Sequence, residues 1–218
     1  MIYELRRYTL HPGRRDTLIT LFEREFVEPQ EAAGMRVAGT FRDPGAPDTF
    51  TWLRSFPDME TRRTALESFY DGPVWRAHRD AANATMIDSD DVLLLRPAAG
   101  PPLPSWDRPP VGAAEPPAAL YVATICHVED GFAGFFARQV APALAEAGAP
   151  PVGWLKSEHA ENTFPRLPVR TGKTVFVWFT RFARPEDERE VDLSLLEARL
   201  TAPPVRLRLR PTARSSMR

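Results

Sequence analysis

Two hydrophobic patterns alternate along the chain. Runs in which every second residue is apolar, rich in β-branched and aromatic side chains, predict strands at residues 2–10, 35–42, 50–56 and 92–96. Between them, apolar residues recur every three or four positions and predict helices at residues 14–33, 59–70 and 74–82. The order is β-α-β-β-α-β, with one short extra helix before the fourth strand, which is typical of a ferredoxin-like unit.

This pattern has a counterpart in the second half of the chain. The motif Phe-x-Trp-x-x-x-Phe occurs at residues 50–56 and again 126 residues later at 176–182, whereas 114 residues separate Gly34 from Gly148 and also Leu95 from Leu209. Strands are expected at 120–127, 152–157, 174–182 and 205–210, with helices from Phe132 and over about 186–200. About twelve extra residues at 158–172, and a missing counterpart of the 74–82 helix, fit an internal duplication because connections tolerate such changes.

A proline-rich stretch separates the two halves. Eight of residues 97–117 are proline, and this stretch has little apolar periodicity. We therefore predict a ferredoxin-like domain at residues 1–97, an extended linker at 98–117 and a diverged second ferredoxin-like domain at 118–218.

Composition excludes several classes of partner. The 28 Lys and Arg residues nearly balance the 29 Asp and Glu residues, so no overall charge attracts nucleic acid or an anionic membrane. Cys126 is the single cysteine, which rules out an intramolecular disulfide. Because the N-terminus alternates like a strand and no apolar run reaches the ~20 residues of a membrane span, we expect a cytoplasmic protein.

The first strand carries the most informative polar residues. Glu4, Arg6 and Tyr8 share one of its faces, since side chains alternate along a strand. If that face lines a barrel, a ligand's carboxylate or carbonyl could bind Arg6, with Glu4 or Tyr8 as proton donor or acceptor. The alternative is that Glu4 and Arg6 form a structural ion pair with a neighbouring strand.

Trp52, Trp75 and His78 are further candidates for a ligand site. Trp52 could line an aromatic pocket on the third strand, or it could simply belong to the core. Trp75 and His78 share a helix face, where His78 could act as a base, ligate a metal, or only cap and hydrogen-bond. No second metal-ligand motif and no phosphate-binding glycine loop accompany them, so we expect no metal and assign no cofactor.

The first half resembles a NIPSNAP domain. The resemblance is carried by residues 2–13 (Ile-Tyr-Glu-Leu-Arg-Arg-Tyr-Thr-Leu-His-Pro-Gly), by residues 34–39 and by Pro73-Val74-Trp75, and it covers residues 1–97. Residues 118–211 resemble it only in outline. The positions of Glu4, Arg6 and Tyr8 are taken there by Val122, Thr124 and Cys126. The resemblance implies a dimeric α+β barrel, formed here as a pseudo-dimer within one chain, with a homodimer also compatible.

Our leading hypothesis is that the barrel cavity binds a small, partly apolar ligand, lined by Glu4, Arg6, Tyr8 and Trp52. Related barrels include cofactor-free monooxygenases and haem-binding enzymes, so fold analogy extends the hypothesis to oxygenase or isomerase chemistry. The alternative is a non-catalytic interaction or scaffold module with a filled barrel. An open, polar-lined interior would favour the first hypothesis, and a packed interior would exclude it.

Overall fold

Eight strands close into one barrel in the computed structural model, which describes residues 1–218. The strands are β1 (Ile2–Leu10), β2 (Arg36–Asp43), β3 (Ala46–Phe56), β4 (Met86–Pro97), β5 (Leu120–His127), β6 (Pro151–Ser157), β7 (Val175–Phe182) and β8 (Val205–Pro211). The α-helices are α1 (Arg15–Leu21), α2 (Val27–Ala32), α3 (Met59–Tyr70), α4 (Pro73–Asn83), α5 (Phe132–Phe135) and α6 (Ala141–Glu146). None of them is both long and apolar enough to cross a lipid bilayer.

The strand order explains how one chain closes the barrel. Around the barrel the order is β1-β3-β2-β8-β5-β7-β6-β4, and every pairing is antiparallel. Within each half the first strand lies between the third and the fourth. The halves meet at two seams, where β2 pairs with β8 and β4 pairs with β6. The α+β class predicted from the sequence is confirmed.

The barrel interior is a filled apolar core. One hydrophobic cluster takes side chains from all eight strands, among them Tyr3 and Leu5 of β1 and Phe179 of β7. The fit is tight enough that a Cβ added to Gly39 would lie 2.4 Å from the ring of Phe41. The prediction that Glu4, Arg6, Tyr8 and Trp52 line a barrel cavity is therefore wrong. Alternation showed correctly that Glu4, Arg6 and Tyr8 share a face, but that face points outwards, towards the helices.

Proline shapes the first helical segment of each half. A π-helical turn joins α1 to α2 at Phe22–Phe26, and another joins α5 to α6 at Phe136–Val140. Pro29 and Pro142 follow these turns closely. Proline has no backbone N–H to donate to the preceding turn. A wider π-helical turn before the proline accommodates the lost hydrogen bond without ending the helix.

The predicted helix over about 186–200 is wrong. The structure has only two 3₁₀ segments there, Pro185–Asp187 and Ser194–Arg199. Asp192 accepts hydrogen bonds from the backbone N–H (2.9 Å) and the hydroxyl (3.0 Å) of Ser194, a local arrangement that competes with a continuous helix.

Residues 98–117 and the C-terminal tail cover the barrel without forming helices or strands. The backbone N–H of Trp106 donates to the carbonyl of Ser216 at 2.8 Å, and the N–H of Met217 donates to the carbonyl of Ala38 at 3.0 Å. Met217 itself is fully buried in the barrel core. The proline-rich stretch therefore lies against the molecule.

Candidate functional site: a buried arginine cluster

Glu4 lies at the centre of a buried group of charges between the sheet and the helices of the first half. Its Oε2 accepts hydrogen bonds from Arg6 Nη1 and from Arg54 Nε, each at 2.8 Å, and its Oε1 accepts one from Arg62 Nε at 2.6 Å. All four side chains are at most 1 % exposed. We call Glu4, Arg6, Arg54 and Arg62 the arginine cluster.

Strand register and one helix bring these residues together. Glu4 and Arg54 lie directly opposite each other in the β1–β3 ladder, on the same outer face as Arg6. Asp58 caps α3 by accepting a 2.7 Å hydrogen bond from the N–H of Thr61. One turn further on, Arg62 faces the sheet on the same stripe as Leu66 and Phe69, which are also buried.

The cluster contains three guanidiniums and one carboxylate. Burial by itself would raise the pKa of Glu4, but Arg54, Arg6 and Arg62 outweigh burial and hold this pKa well below its usual range. Glu4 is therefore ionised at neutral pH. With three cations against one anion, the cluster carries a net positive charge although its side chains are almost fully buried.

Several hydrogen-bond donors in this region have no acceptor. Nη2 of Arg62 and Nε1 of Trp52 are buried and unpaired. Nη2 of Arg54 also makes no hydrogen bond, although it lies 2.7 Å from Oε2 of Glu4, because the contact is poorly aligned. Buried donors are normally satisfied, so unpaired ones point to an acceptor such as a ligand oxygen or a water.

Aromatic rings form one wall of the cluster. The guanidinium carbon of Arg54 is 5.0 Å from the ring centre of Trp52, and that of Arg6 is 5.7 Å from it. Arg6 Nε donates to the Tyr8 hydroxyl at 3.1 Å. Burial raises the pKa of Tyr8, so its phenol stays protonated, and because its oxygen accepts from Arg6 its own proton is free for another acceptor.

A segment of the second half covers the cluster. Residues 158–172, between β6 and β7, cross to the first half, where Arg62 Nη1 donates to Asn162 Oδ1 at 3.0 Å and to Thr163 Oγ1 at 3.3 Å. Phe164 is buried in the core of the first half, 5.9 Å from the ring of Tyr70. We call residues 158–172 the lid. It spans the residues at which the sequence predicts an insertion.

Trp75 and His78 lie away from the arginine cluster. Trp75 packs on Phe26 and Tyr70 at the outer edge of the helical layer. His78 is partly exposed, with its Nε2 3.5 Å from Oε2 of Glu25. The structure thus brings Glu4, Arg6, Tyr8 and Trp52 together and leaves Trp75 and His78 outside this group.

Sequence reasoning missed Arg54, Arg62 and the lid residue Asn162. One signal was available, because Arg62 lies on the apolar stripe of α3, where an arginine needs a buried partner. The pairing of Glu4 with Arg54 depends on strand register, and the contact of Asn162 depends on the fold of the other half.

The second half has no equivalent cluster. Cys126 takes the place of Tyr8, and burial raises the pKa of its thiol to about 12, so it stays protonated. It lies in an apolar cluster together with Phe136 and Trp178. Only the first half therefore presents buried charged groups on this face of the sheet.

A known protein family matches the first half of the chain. Residues 3–101 match the NIPSNAP family model. This match covers a little under half of the chain. An uncharacterized NIPSNAP-like domain protein from Burkholderia xenovorans is 27 % identical to it, covering 47 % of this chain and 90 % of its own, with a TM-score of 0.43. Comparison with curated proteins gave no match.

Two solved structures resemble the whole chain, beyond the residues that match the NIPSNAP model. A proposed monooxygenase from Lactobacillus acidophilus NCFM is 9 % identical, with a TM-score of 0.59, and covers 99 % of this chain and 96 % of its own. A proposed monooxygenase from Fusobacterium nucleatum is 10 % identical, with a TM-score of 0.60, and covers 99 % of this chain and 94 % of its own. At these identities the likeness shows the fold alone.

Proposed function

We propose that the protein binds a small organic anion with an apolar body at the arginine cluster, beneath the lid. The observation that carries this proposal is the buried excess of positive charge, three guanidiniums against one carboxylate, with Arg62 Nη2 and Trp52 Nε1 unpaired. The ligand site thereby moves from the barrel interior to the layer between the sheet and the helices.

Electrostatics favours an anion over a metal ion or a neutral ligand. Burying unpaired cations is costly, and a second carboxylate would offset part of that cost while accepting the free hydrogen bonds. A hydrogen bond to a charged group contributes about 1.5 to 3 kcal/mol. The only carboxylate in the cluster is already shared by three arginines, so the donor set does not suit a divalent cation.

The surrounding side chains suit a ligand with an aromatic or aliphatic body. Trp52, Tyr8 and Phe164 supply apolar surface, and the Tyr8 hydroxyl can donate to a carbonyl or carboxylate oxygen. In an enzymatic extension of this proposal, Tyr8 is the proton donor, whereas Glu4, held ionised, orients the arginines. Oxygenase or isomerase chemistry rests on the fold likeness alone.

We also propose that the chain is a tandem of two ferredoxin-like repeats, residues 1–97 and 118–218, joined by a linker at 98–117. The matching strand orders of the two halves and the paired π-turns support this division. In this arrangement the first repeat supplies the site and the second supplies the lid. A second copy of the chain is not needed to complete the barrel.

Native mass spectrometry tests the binding proposal. The spectrum of the purified protein, compared with its denatured spectrum, should reveal a retained small acid, and added benzoate should raise the thermal midpoint of any ligand-free fraction. Arg62→Gln should lose both effects and still fold, because it removes one of three like charges. Arg63→Gln is the matched control, since Arg63 is the next residue on α3 and pairs at the surface with Glu60 and Glu67. Binding that Arg62→Gln leaves unchanged, or no binding in either assay, would contradict the proposal.

The filled barrel favours a second candidate function, a non-catalytic interaction module. In that case the arginine cluster is a structural ion network, and partners contact the outer surface. Arg62→Gln would then change stability alone, with no retained molecule in any variant.

A further inference from the structure

A second concavity lies beside α1 and is lined by none of the arginine-cluster residues. It has a volume of about 620 Å³ and is enclosed by α1, by residues 111–116 of the proline-rich stretch and by the end of β8. This volume is in the range of small-molecule sites. We call it the linker pocket, defined by Arg15, Ile19, Arg42, Val111, Ala113 and Arg210.

The linker pocket is strongly basic. Five arginines and one glutamate line it: Arg15, Arg24, Arg42, Arg210, Arg214 and Glu23. Three of these arginines are paired with carboxylates that neutralise them: Arg24 with Glu25, Arg42 with Asp16 and Arg214 with Glu28. The other two, Arg15 and Arg210, have no carboxylate partner.

Arg15 and Arg210 are both available to an anion. Arg15 Nη1 donates to the carbonyl of Asp43 at 3.1 Å, but its Nε is buried with no acceptor. Arg210 makes no side-chain hydrogen bond or ion pair and lies directly opposite Arg42 in the β2–β8 ladder. Arg42 is paired with Asp16, so Arg210 is the one cation of this opposed pair that lacks a counter-charge, and a bound anion would supply it.

The rest of the pocket is apolar and fixed in position. Ile19 is 2 % exposed, and Ala213 is buried, whereas Val111 on the facing wall is 55 % exposed. Arg214 is held by Glu28, by the backbone carbonyl of Glu23 and by the carbonyl of Pro109. The wall formed by Ile19, Ala213 and Arg214 is therefore preorganised. It places an apolar surface beside the two unpaired guanidiniums, Arg15 and Arg210.

We propose that the linker pocket is a second ligand site, which binds an amphiphilic organic anion. Its carboxylate, sulfonate or phosphate group pairs with Arg15 and Arg210, and its apolar body lies between Ile19 and Val111. This site shares no residue with the arginine cluster and does not depend on the function proposed there.

Fluorescence titration with anilinonaphthalene sulfonate, which joins one sulfonate to an aromatic body, tests this inference. We expect saturable binding of one molecule per chain, weakened about tenfold by Arg15→Gln and by Arg210→Gln, because each loses a charge-assisted contact. Arg206→Gln, on the same exposed face of β8 but beside Glu188, is the control and should bind like the unmodified protein. Arg62→Gln should also bind normally, which separates this site from the arginine cluster.

Three results would overturn the inference. These are the absence of saturable binding, binding that neither Arg15→Gln nor Arg210→Gln weakens, and binding lost only in Arg62→Gln.

Discussion

At the scale of the residue, Glu4 decides whether the first half can fold as it does. It is the single anion for three buried guanidiniums, and it connects β1, β3 and α3 in one network. Removing one partner of a buried ion pair leaves the other charge desolvated and unpaired, which costs more than the pair contributes. Here the unpaired charges would number three.

We therefore expect Glu4→Gln to lower the free energy of unfolding at pH 7 by about 3 to 5 kcal/mol. Because the folded-state pKa of Glu4 lies far below its unfolded value of about 4.3, the stabilisation is complete above that value and is lost as the pH falls towards the folded pKa. Urea denaturation should show that the difference in free energy of unfolding between the unmodified protein and Glu4→Gln becomes smaller below about pH 4. Glu60→Gln is the control, because Glu60 pairs with Arg63 at the surface. An equal loss of unfolding free energy in Glu60→Gln would contradict this explanation.

The sequence predicted part of this site, for a physical reason. Alternation along β1 correctly put Glu4, Arg6 and Tyr8 on one face. Successive side chains of a strand point to opposite faces whatever the rest of the fold does, so this is predictable from the sequence. It could not tell which face meets the helices, since Tyr3 and Leu5 on the other face suit a core equally well. The contacts of Arg54 and Asn162 depend on register and on the other half of the chain, and no local pattern encodes either.

At the scale of the element, the lid is the one segment that connects the second half to the site of the first. Phe164 holds it in the core of the first half, and two surface ion pairs, Arg166 with Asp71 and Arg170 with Asp91, hold its edges. Since Glu4, Arg54 and Arg62 are fully buried, a ligand reaches them only when this segment moves. The unequal intervals between matching residues predicted an insertion at 158–172 but said nothing about where this segment packs.

Loosening the lid should expose the site locally. We expect Phe164→Ala to raise amide hydrogen exchange of residues 160–171 by about tenfold or more, because it removes the main apolar contact of the lid, and to leave exchange in β5 unchanged. Hydrogen-exchange mass spectrometry measures both. Arg166→Ala should have little effect, since exposed ion pairs contribute little. Equal exchange in Phe164→Ala and the unmodified protein would show that this residue does not hold the lid.

At the scale of the whole molecule, the two halves have the same strand order but different chemistry. The β2–β8 and β4–β6 seams close one barrel with an apolar core to which all eight strands contribute. Charged groups are buried beside the helices of the first half only, where the NIPSNAP match lies. We therefore expect one ligand at the arginine cluster of each chain and none between the sheet and the helices of the second half.

A high-resolution crystal structure of the protein grown with benzoate tests this central claim most directly. We expect one benzoate beneath the lid, with its carboxylate within about 3 Å of Arg62 Nη2, and none in the equivalent layer beside Cys126. A dry cluster in which Arg54 and Arg62 direct all their donors to Glu4 and to lid oxygens, with no ligand bound, would contradict it and would leave the arginine cluster as a structural network.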